Sequence, residues 1–264
     1  MAKKTRLAVQ LYSMRDHMQT PPDMKKTFRR LAKMGYTAAQ ISGVGPIDPA
    51  ELNKMMVGEG IQPIGAHVGL KEFREDLGKV IADCHAWGIS HVAIPALPGE
   101  ERDTAAKWKK LAREFTKLGK KCKAEGITLQ YHNHMFEFQK LGIKKGRGGE
   151  LGLDLLYDNS DPEFLQAELD LGWVARGGHD PIRWVKKVAG RMDQVHLKDW
   201  GVVDNQPVWR AIGEGGIDWA PVLKECKKAG TVEYIIEQDN CPVTNDPFLS
   251  MQISYENLIA LGMK

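Results

Sequence analysis

Two histidines, His132 and His134, stand at alternate positions at the end of an apolar stretch, "LQYHNHMFEF" (129–138), and Glu137 follows three residues later. Imidazoles and a carboxylate at this spacing suit proton transfer near neutral pH or the binding of a divalent cation. The plain alternative is a polar loop that happens to carry histidines. Similar groups close other apolar runs. His67 lies in "IQPIGAHVG" (61–69), Asp170 in "FLQAELDLGW" (164–173), His196 and Lys198 in "MDQVHLKDW" (192–200) and Glu237 in "VEYIIEQD" (232–239).

If these runs are strands, alternate side chains share a face. Gln130, His132 and His134 then point one way, as do Glu168 with Asp170, and Gln194 with His196 and Lys198. The intervening Leu169, Val195, Leu197 and Ile236 are apolar, as a helix-covered outer face requires. Titratable groups turned inward cannot stay charged and unpaired, and a divalent cation relieves the converging carboxylates and imidazoles. A mixed oxygen and nitrogen shell suits manganese first, and also magnesium, cobalt or zinc. Asp170, His196 and Glu237 are the expected ligands, with His132 as the fourth. Taken singly, His67 reads more readily as a hydrogen-bonded core histidine. His85, His91 and His179 read as surface groups, and Glu137 either faces the site or sits on the loop.

The elements that must position these groups alternate along the chain. "RLAVQLYS" (6–13) has strand character and precedes a helix over 21–35, where Met24, Phe28, Leu31 and Met34 fall at near-helical spacing and Gly35 is the stop. Strands are predicted at 36–42, 61–69, 91–98, 127–134, 164–173, 192–200 and 232–239. Helices are predicted at Pro49–Gly58, 71–87, 102–124, 181–188, 217–228 and 246–261. Eight strand–helix units in 264 residues predict an α/β protein, a (β/α)8 TIM barrel occupying residues 1–264 as a single domain. Residues 13–20, "SMRDHMQT", hold no glycine, so neither a dinucleotide loop nor a P-loop follows the first strand. "GRGGELG" (146–152) reads as a loop over the barrel mouth.

Composition narrows the partners. With 37 basic and 34 acidic residues and a net charge of +3, neither nucleic acid nor an anionic membrane is expected. Cys84, Cys122, Cys226 and Cys241 are scattered without C-x-x-C spacing, which predicts reduced thiols in a cytoplasmic protein rather than a zinc ribbon. The opening "MAKKTRLAVQLYSMRDH" lacks the apolar core and cleavage site of a secretory signal.

"LQYHNHMFEF", "ELDLGWV", "GRMDQVHLKDW", "IGEGGIDW" and "YIIEQD" together resemble the xylose-isomerase-like superfamily of barrels, the sugar phosphate isomerases/epimerases, over essentially the whole chain. The resemblance implies a divalent metal at the barrel mouth, commonly held by Glu, Asp, His and Glu from the last four strands. Asp170, His196 and Glu237 match the last three, whereas His132 stands where the family has its first glutamate. In ketose epimerases of this fold that glutamate is both a ligand and a base. The YHNH variant also resembles barrels that cleave or hydrate keto-glycosides, whose sugar has been oxidised by a partner dehydrogenase. Two chemistries are therefore implied: isomerisation or epimerisation through an enediolate, and β-elimination from a 3-keto-glycoside by a lyase or hydratase. Both take a small sugar or keto-sugar, and a homo-oligomer is compatible with either. His134 or Glu237 is the expected base, Lys198 the group that steadies negative oxygen, and His134 or Glu137 the acid. Gln10, His67, Asn133 and Trp173 are expected sugar contacts. An endonuclease IV-like phosphodiesterase would need a richer ligand set and a basic face. A metal-free sugar-binding barrel would not need the inward run of ligands.

Overall fold

The computed structural model describes residues 5–143 and 148–263. Eight parallel strands run in the order β6-β5-β4-β3-β2-β1-β8-β7: β1 Arg6–Gln10, β2 Ala38–Ile41, β3 Gln62–His67, β4 His91–Ile94, β5 Thr128–His132, β6 Gln166–Glu168, β7 Gln194–Leu197 and β8 Glu233–Ile236. The two end strands meet through a parallel bridge between Asp170 and His196, with His196 N donating to Leu169 O at 2.8 Å. The barrel therefore closes at two of the residues that the sequence marks for chemistry.

Period-two patterning divides the strands as expected. Outward Val9, Val92, Ile94, Leu129, Tyr131, Leu169, Val195, Leu197 and Ile236 join the main apolar core beneath the helices. Inward Ala8, Ala38, Ile64 and Ile235 form a separate small cluster that plugs the barrel. Two residues further along the same strands, Gln10, Gln40 and Glu237 replace three of these plug residues, so the interior turns polar about 6.6 Å nearer the mouth. A register shift between β2 and β3 at Ala39/Gln40 brings Gly65 inside as well. A Cβ there would lie 3.1 Å from Gln194 Oε1 and 3.3 Å from Gln40 Nε2, so glycine leaves room for the glutamine layer.

The first long helix, α1 (Pro21–Met34), has the signals read from sequence: Thr20 accepts from Asp23 N, proline occupies the first turn, and Gly35 ends it at φ 107°. The helix predicted over 71–87 is divided into Leu70–Glu75 and Leu77–Trp87. Asp76 breaks it with ψ 75° and caps the second piece by accepting from Lys79 N. Three further elements extend the predicted set. Residues 146 and 147 of the expected mouth loop lie outside the described residues. Its later part pairs Glu150–Leu151 with Lys140–Leu141 and opens a helix, Gly152–Asp158. The strand predicted over 164–173 is confined to Gln166–Glu168, because Asp170 caps a short helix, Leu171–Arg176, that takes its last three residues. Asp199–Val203 and Gln206–Arg210 form a hairpin turned by Asp204 and Asn205, both at positive φ, the geometry of a two-residue hairpin loop. Among the described residues the four cysteines are free thiols, and no helix is long and apolar enough to cross a membrane.

Candidate metal and proton-transfer site

The inward side chains of β5 to β8 converge at the mouth in two tiers. The register pairs His132 with Glu168 across β5 and β6, and Ile235 with His196 across β8 and β7. In the inner tier, Glu168 is fully buried and its Oε2 lies 2.7 Å from His67 Nε2, 3.4 Å from His196 Nε2 and 3.5 Å from His132 Nδ1. The imidazoles pack on one another: His67 stacks on His196 with centroids 5.3 Å apart, and His132 meets His196 edge-on at 4.5 Å. Glutamines form the floor. Gln40 Nε2 donates to Glu168 Oε1 at 2.5 Å, and Gln10 Nε2 donates to Gln40 Oε1 at 2.6 Å.

In the outer tier, Lys198 Nζ lies 3.0 Å from Asp170 Oδ2, 3.1 Å from Glu237 Oε2 and 3.0 Å from Asp239 Oδ2. Lys198 is fully buried, and this carboxylate shell compensates its charge. His196 joins the tiers, with Nδ1 2.9 Å from Glu237 Oε2 and Nε2 2.7 Å from Gln40 Oε1. Asp170 also plays a structural part: its Oδ1 accepts from Trp173 N at 2.8 Å and caps the helix Leu171–Arg176.

These surroundings set the protonation states. Burial would lower Lys198, but Asp170, Glu237 and Asp239 overcome it and raise its pKa, keeping it charged. Burial pushes Glu237 up, but Lys198 and His196 outweigh it and hold the carboxylate well below its usual range. Asp170 is the softer partner, raised by burial to about 6 against the pull of Lys198. Burial lowers His196 too, yet Glu168 and Glu237 raise it, whereas His132 is driven far down by burial and by the neighbouring His196. His134 is lowered to about 4 by burial and then by the Lys198 ammonium, so it is neutral at neutral pH.

Two sets of side chains offer ligand atoms within 4.8 Å of one another: His67, His132, Glu168 and His196, and His132, Asp170, His196 and Glu237. His132 Nδ1 is buried without a hydrogen-bond partner, as expected of a group that a cation would satisfy, whereas Asp170 Oδ2 already faces the Lys198 ammonium at 3.0 Å. The donor sets thus fit a divalent metal. The sequence reading singles out the second set. Its carboxylate oxygens are those that the Lys198 ammonium contacts.

The other expected residues divide. His134 lies half-buried at the mouth, its ring 5.7 Å from Phe136 and 5.5 Å from Trp173, with a buried and unpartnered Nδ1. Trp173 meets Trp209 of the hairpin at 4.6 Å, and Lys198 Nζ lies 5.4 and 5.2 Å from the two ring centroids. Gln10 is on the fully buried floor. Asn133, read from sequence as a sugar contact, instead clamps β5 to the end of β6: its Oδ1 accepts from Asp170 N at 3.1 Å and its Nδ2 donates to Asp170 O at 3.3 Å. Glu137, read as a candidate acid, is buried behind β5, where it accepts from Tyr131 Oη at 2.7 Å and His134 N at 2.9 Å. Tyr131 is an outward residue, so this carboxylate braces the loop from behind. Burial still lifts its pKa to about 7 against the Tyr131 hydrogen bond.

Sequence reasoning left Glu168, Gln40, Asp239, Trp209 and Asp199 without roles. Parity was the available signal for Glu168 and Asp239, which share inward positions with Asp170 and Glu237. The fully buried Asp199 organises the "GEGGID" loop, accepting from Gly213 N at 2.9 Å, Gly215 N at 3.2 Å and Trp219 Nε1 at 2.8 Å.

Comparison with known proteins agrees with this architecture. A family model described as xylose isomerase-like TIM barrel matches residues 28–247. Inosose dehydratase 2 of Bacillus cereus is 26% identical over 168 residues, which is 62% of this chain and only 52% of that protein. Inosose dehydratase of Geobacillus kaustophilus is 23% identical over 264 aligned residues, 86% of this chain and 83% of the relative. The crystal structure of a sugar phosphate isomerase/epimerase from Parabacteroides distasonis superposes with a TM-score of 0.82 at 25% identity, covering 98% of this chain and 94% of that one.

Proposed function

We infer an activity from the premise that the chain belongs to the xylose isomerase-like TIM barrel family: it is a lyase of the dehydratase type. It acts on a small keto-sugar or keto-cyclitol, removing the proton beside the carbonyl and expelling the group one carbon further on. The observation that carries this reading is His134. It is a neutral imidazole at the mouth with a free Nδ1, whereas Glu237 Oε2 is held by both His196 and Lys198. A base near the substrate must be deprotonated and unengaged, and His134 meets both conditions. The inosose dehydratase names of the relatives support the same reaction class.

When bound, a divalent cation supplies Lewis acidity to the substrate oxygen on which negative charge develops; manganese suits the donors best, with magnesium, cobalt and zinc also compatible. His134 takes the carbon-bound proton on its neutral imidazole and, as imidazolium, returns it to the departing oxygen. Water leaves from a keto-cyclitol, or the aglycone alcohol from a keto-glycoside, and a carbon–carbon double bond remains beside the carbonyl. Lys198 keeps its proton and steadies negative charge beside the carboxylates. Trp173 and Trp209 flank it as apolar surfaces for the sugar ring. The substrate must arrive already carrying a carbonyl, so a sugar dehydrogenase is the natural upstream partner. Unpaired cysteines fit a cytoplasmic setting.

Isomerisation or epimerisation is the second reading, favoured by the Parabacteroides neighbour and by the shared first step. Proton NMR of the manganese-loaded protein in deuterated water, with keto-glycosides, keto-cyclitols, ketoses and ketose phosphates, separates the two. An unsaturated ketone with release of water or aglycone is the expected result. Deuterium entering an intact sugar would replace lyase chemistry by isomerase or epimerase chemistry. No exchange with any of them would overturn both.

A further inference from the structure

We propose that the resident cation sits in the inner tier, on His67, His132, His196 and Glu168, and that Lys198 serves as the permanent counter-ion of the outer carboxylates. The proposal rests on the reading that the chain binds a divalent cation, and it assigns that ion a site different from the Asp170, His196 and Glu237 set.

Charge supports the assignment first. Asp170, Glu237 and Asp239 already surround an ammonium at 3.0 to 3.1 Å. A dication on the same oxygens would be driven against Lys198, which is fully buried and therefore unscreened by water. The inner tier has a carboxylate facing three imidazoles, and His132 Nδ1 is unpartnered there although only 2% of the residue is exposed.

Spacing agrees. Three ring nitrogens lie 2.7, 3.4 and 3.5 Å from Glu168 Oε2. Ligands held at ~2.0–2.1 Å in a tetrahedral shell stand ~3.3 Å apart, which the His196 and His132 contacts nearly match, and the His67 contact opens by ~0.6 Å to complete a three-nitrogen, one-oxygen shell.

Neighbouring side chains also hold three of the four ligands in place. Glu237 at 2.9 Å from His196 Nδ1 supplies the carboxylate acceptor that a metal-bound imidazole needs, while Nε2, 2.7 Å from Gln40 Oε1, gives up its proton to the cation. Gln40 donates to Glu168 Oε1 and leaves Oε2 for the centre. Gln10 Nε2 lies 3.3 Å from His67 Nδ1, which places the ring proton on Nε2 towards Glu168, and this proton leaves when a cation takes its place. In this arrangement Glu237 supports a ligand through a hydrogen bond.

The test counts imidazoles on the bound ion in the full chain loaded with cobalt(II) or manganese(II), by X-ray absorption fine structure and pulsed EPR respectively. Three imidazoles are expected, from His67, His132 and His196. In parallel, His67→Ala and Glu168→Gln should weaken cobalt binding by more than ~100-fold, beyond the loss typical of an outer-shell partner, while Asp170→Asn changes it by less than ~10-fold. Two imidazoles, with binding lost in Asp170→Asn and kept in His67→Ala, would move the ion to the outer tier and overturn the assignment. The count is made on the unmodified chain, so it stands even if Glu168→Gln fails to fold. Failure of the unmodified protein to take up either ion would overturn the metal reading itself along with this one.

Discussion

Lys198→Met removes the ammonium from a shell of three carboxylates while keeping the length of the side chain. At ~3 Å and an effective dielectric of ~20, each contact contributes ~5 kcal/mol of attraction before desolvation and repulsion among the carboxylates are counted. Removing one partner of a buried pair has a measured penalty of ~3–5 kcal/mol, which is the better figure for the variant. At ~2–4 °C per kcal/mol for a chain of this size, the metal-free variant should melt ~6–20 °C below the parent at pH 8. The deficit should also depend on pH. Asp170 already titrates at about 6, above its ordinary 3.8, because burial outweighs Lys198. Without the ammonium, Asp170 and Asp239 rise further. A carboxyl whose pKa is higher folded than unfolded favours the fold below its unfolded pKa and loses that contribution as pH rises through the folded value. The deficit should therefore be smallest near pH 4 and widen through pH 6 to 8. Thermal melts of both proteins in chelator, followed by far-ultraviolet circular dichroism at pH 4.5, 6 and 8, measure it. An equal deficit at every pH, or none, would refute the idea that Lys198 neutralises these acids.

His134→Gln should lower kcat by ~10²–10⁴ while leaving sugar binding nearly intact, as kinetics and isothermal titration would show. In the parent, protonation of His134 near pH 4 should extinguish turnover, so any acid-side limb above that value from another group must survive in the His134→Gln residual rate. Gly172→Ala would place a Cβ 2.3 Å from Lys198 O and 2.7 Å from Lys198 Cβ, forcing the helix Leu171–Arg176 off β7. A loss of ~1–3 kcal/mol in denaturant titration is expected, together with reduced turnover. Asp199→Asn exchanges an acceptor for amide donors opposite Gly213 N and Gly215 N, and should destabilise by ~1–3 kcal/mol and speed proteolysis between residues 200 and 216.

The barrel was legible because its signals are local and repeated. Thr20, Pro21 and Gly35 bracket one helix, and alternation along 194–198 separates Val195 and Leu197 from Gln194, His196 and Lys198. The convergence of His132, Asp170, His196 and Glu237 followed from the same parity, since parallel strands end at one face. Parity says which way a side chain points and nothing about which partner it meets. Asn133 and Glu137 look like site residues from sequence, and only the tertiary pairing shows one clamped to the Asp170 backbone and the other held by Tyr131. Lys198 was legible as a cation near the site. That it lies against the very acids expected to bind metal depends on the strand stagger, which no local pattern encodes.

The seam of the barrel explains why site and fold are one problem here. β6 holds only three residues, since Asp170 turns at once into the cap of the next helix. That early exit leaves a single bridge, Asp170 to His196, where longer strands would share a ladder. Asn133 compensates by bonding both backbone groups of Asp170 from the neighbouring strand. The bridge sets the relative height of the two tiers, because Glu168 lies two residues before it on one side and Lys198 two residues after it on the other. A slip of one residue by either strand at this seam would turn that strand's own charge, Glu168 or Lys198, to the apolar outer face, so the buried charges enforce the register that closes the barrel. Inner imidazoles and outer ammonium are then two halves of one device, whose spacing is set by the same backbone hydrogen bond from His196 N to Leu169 O.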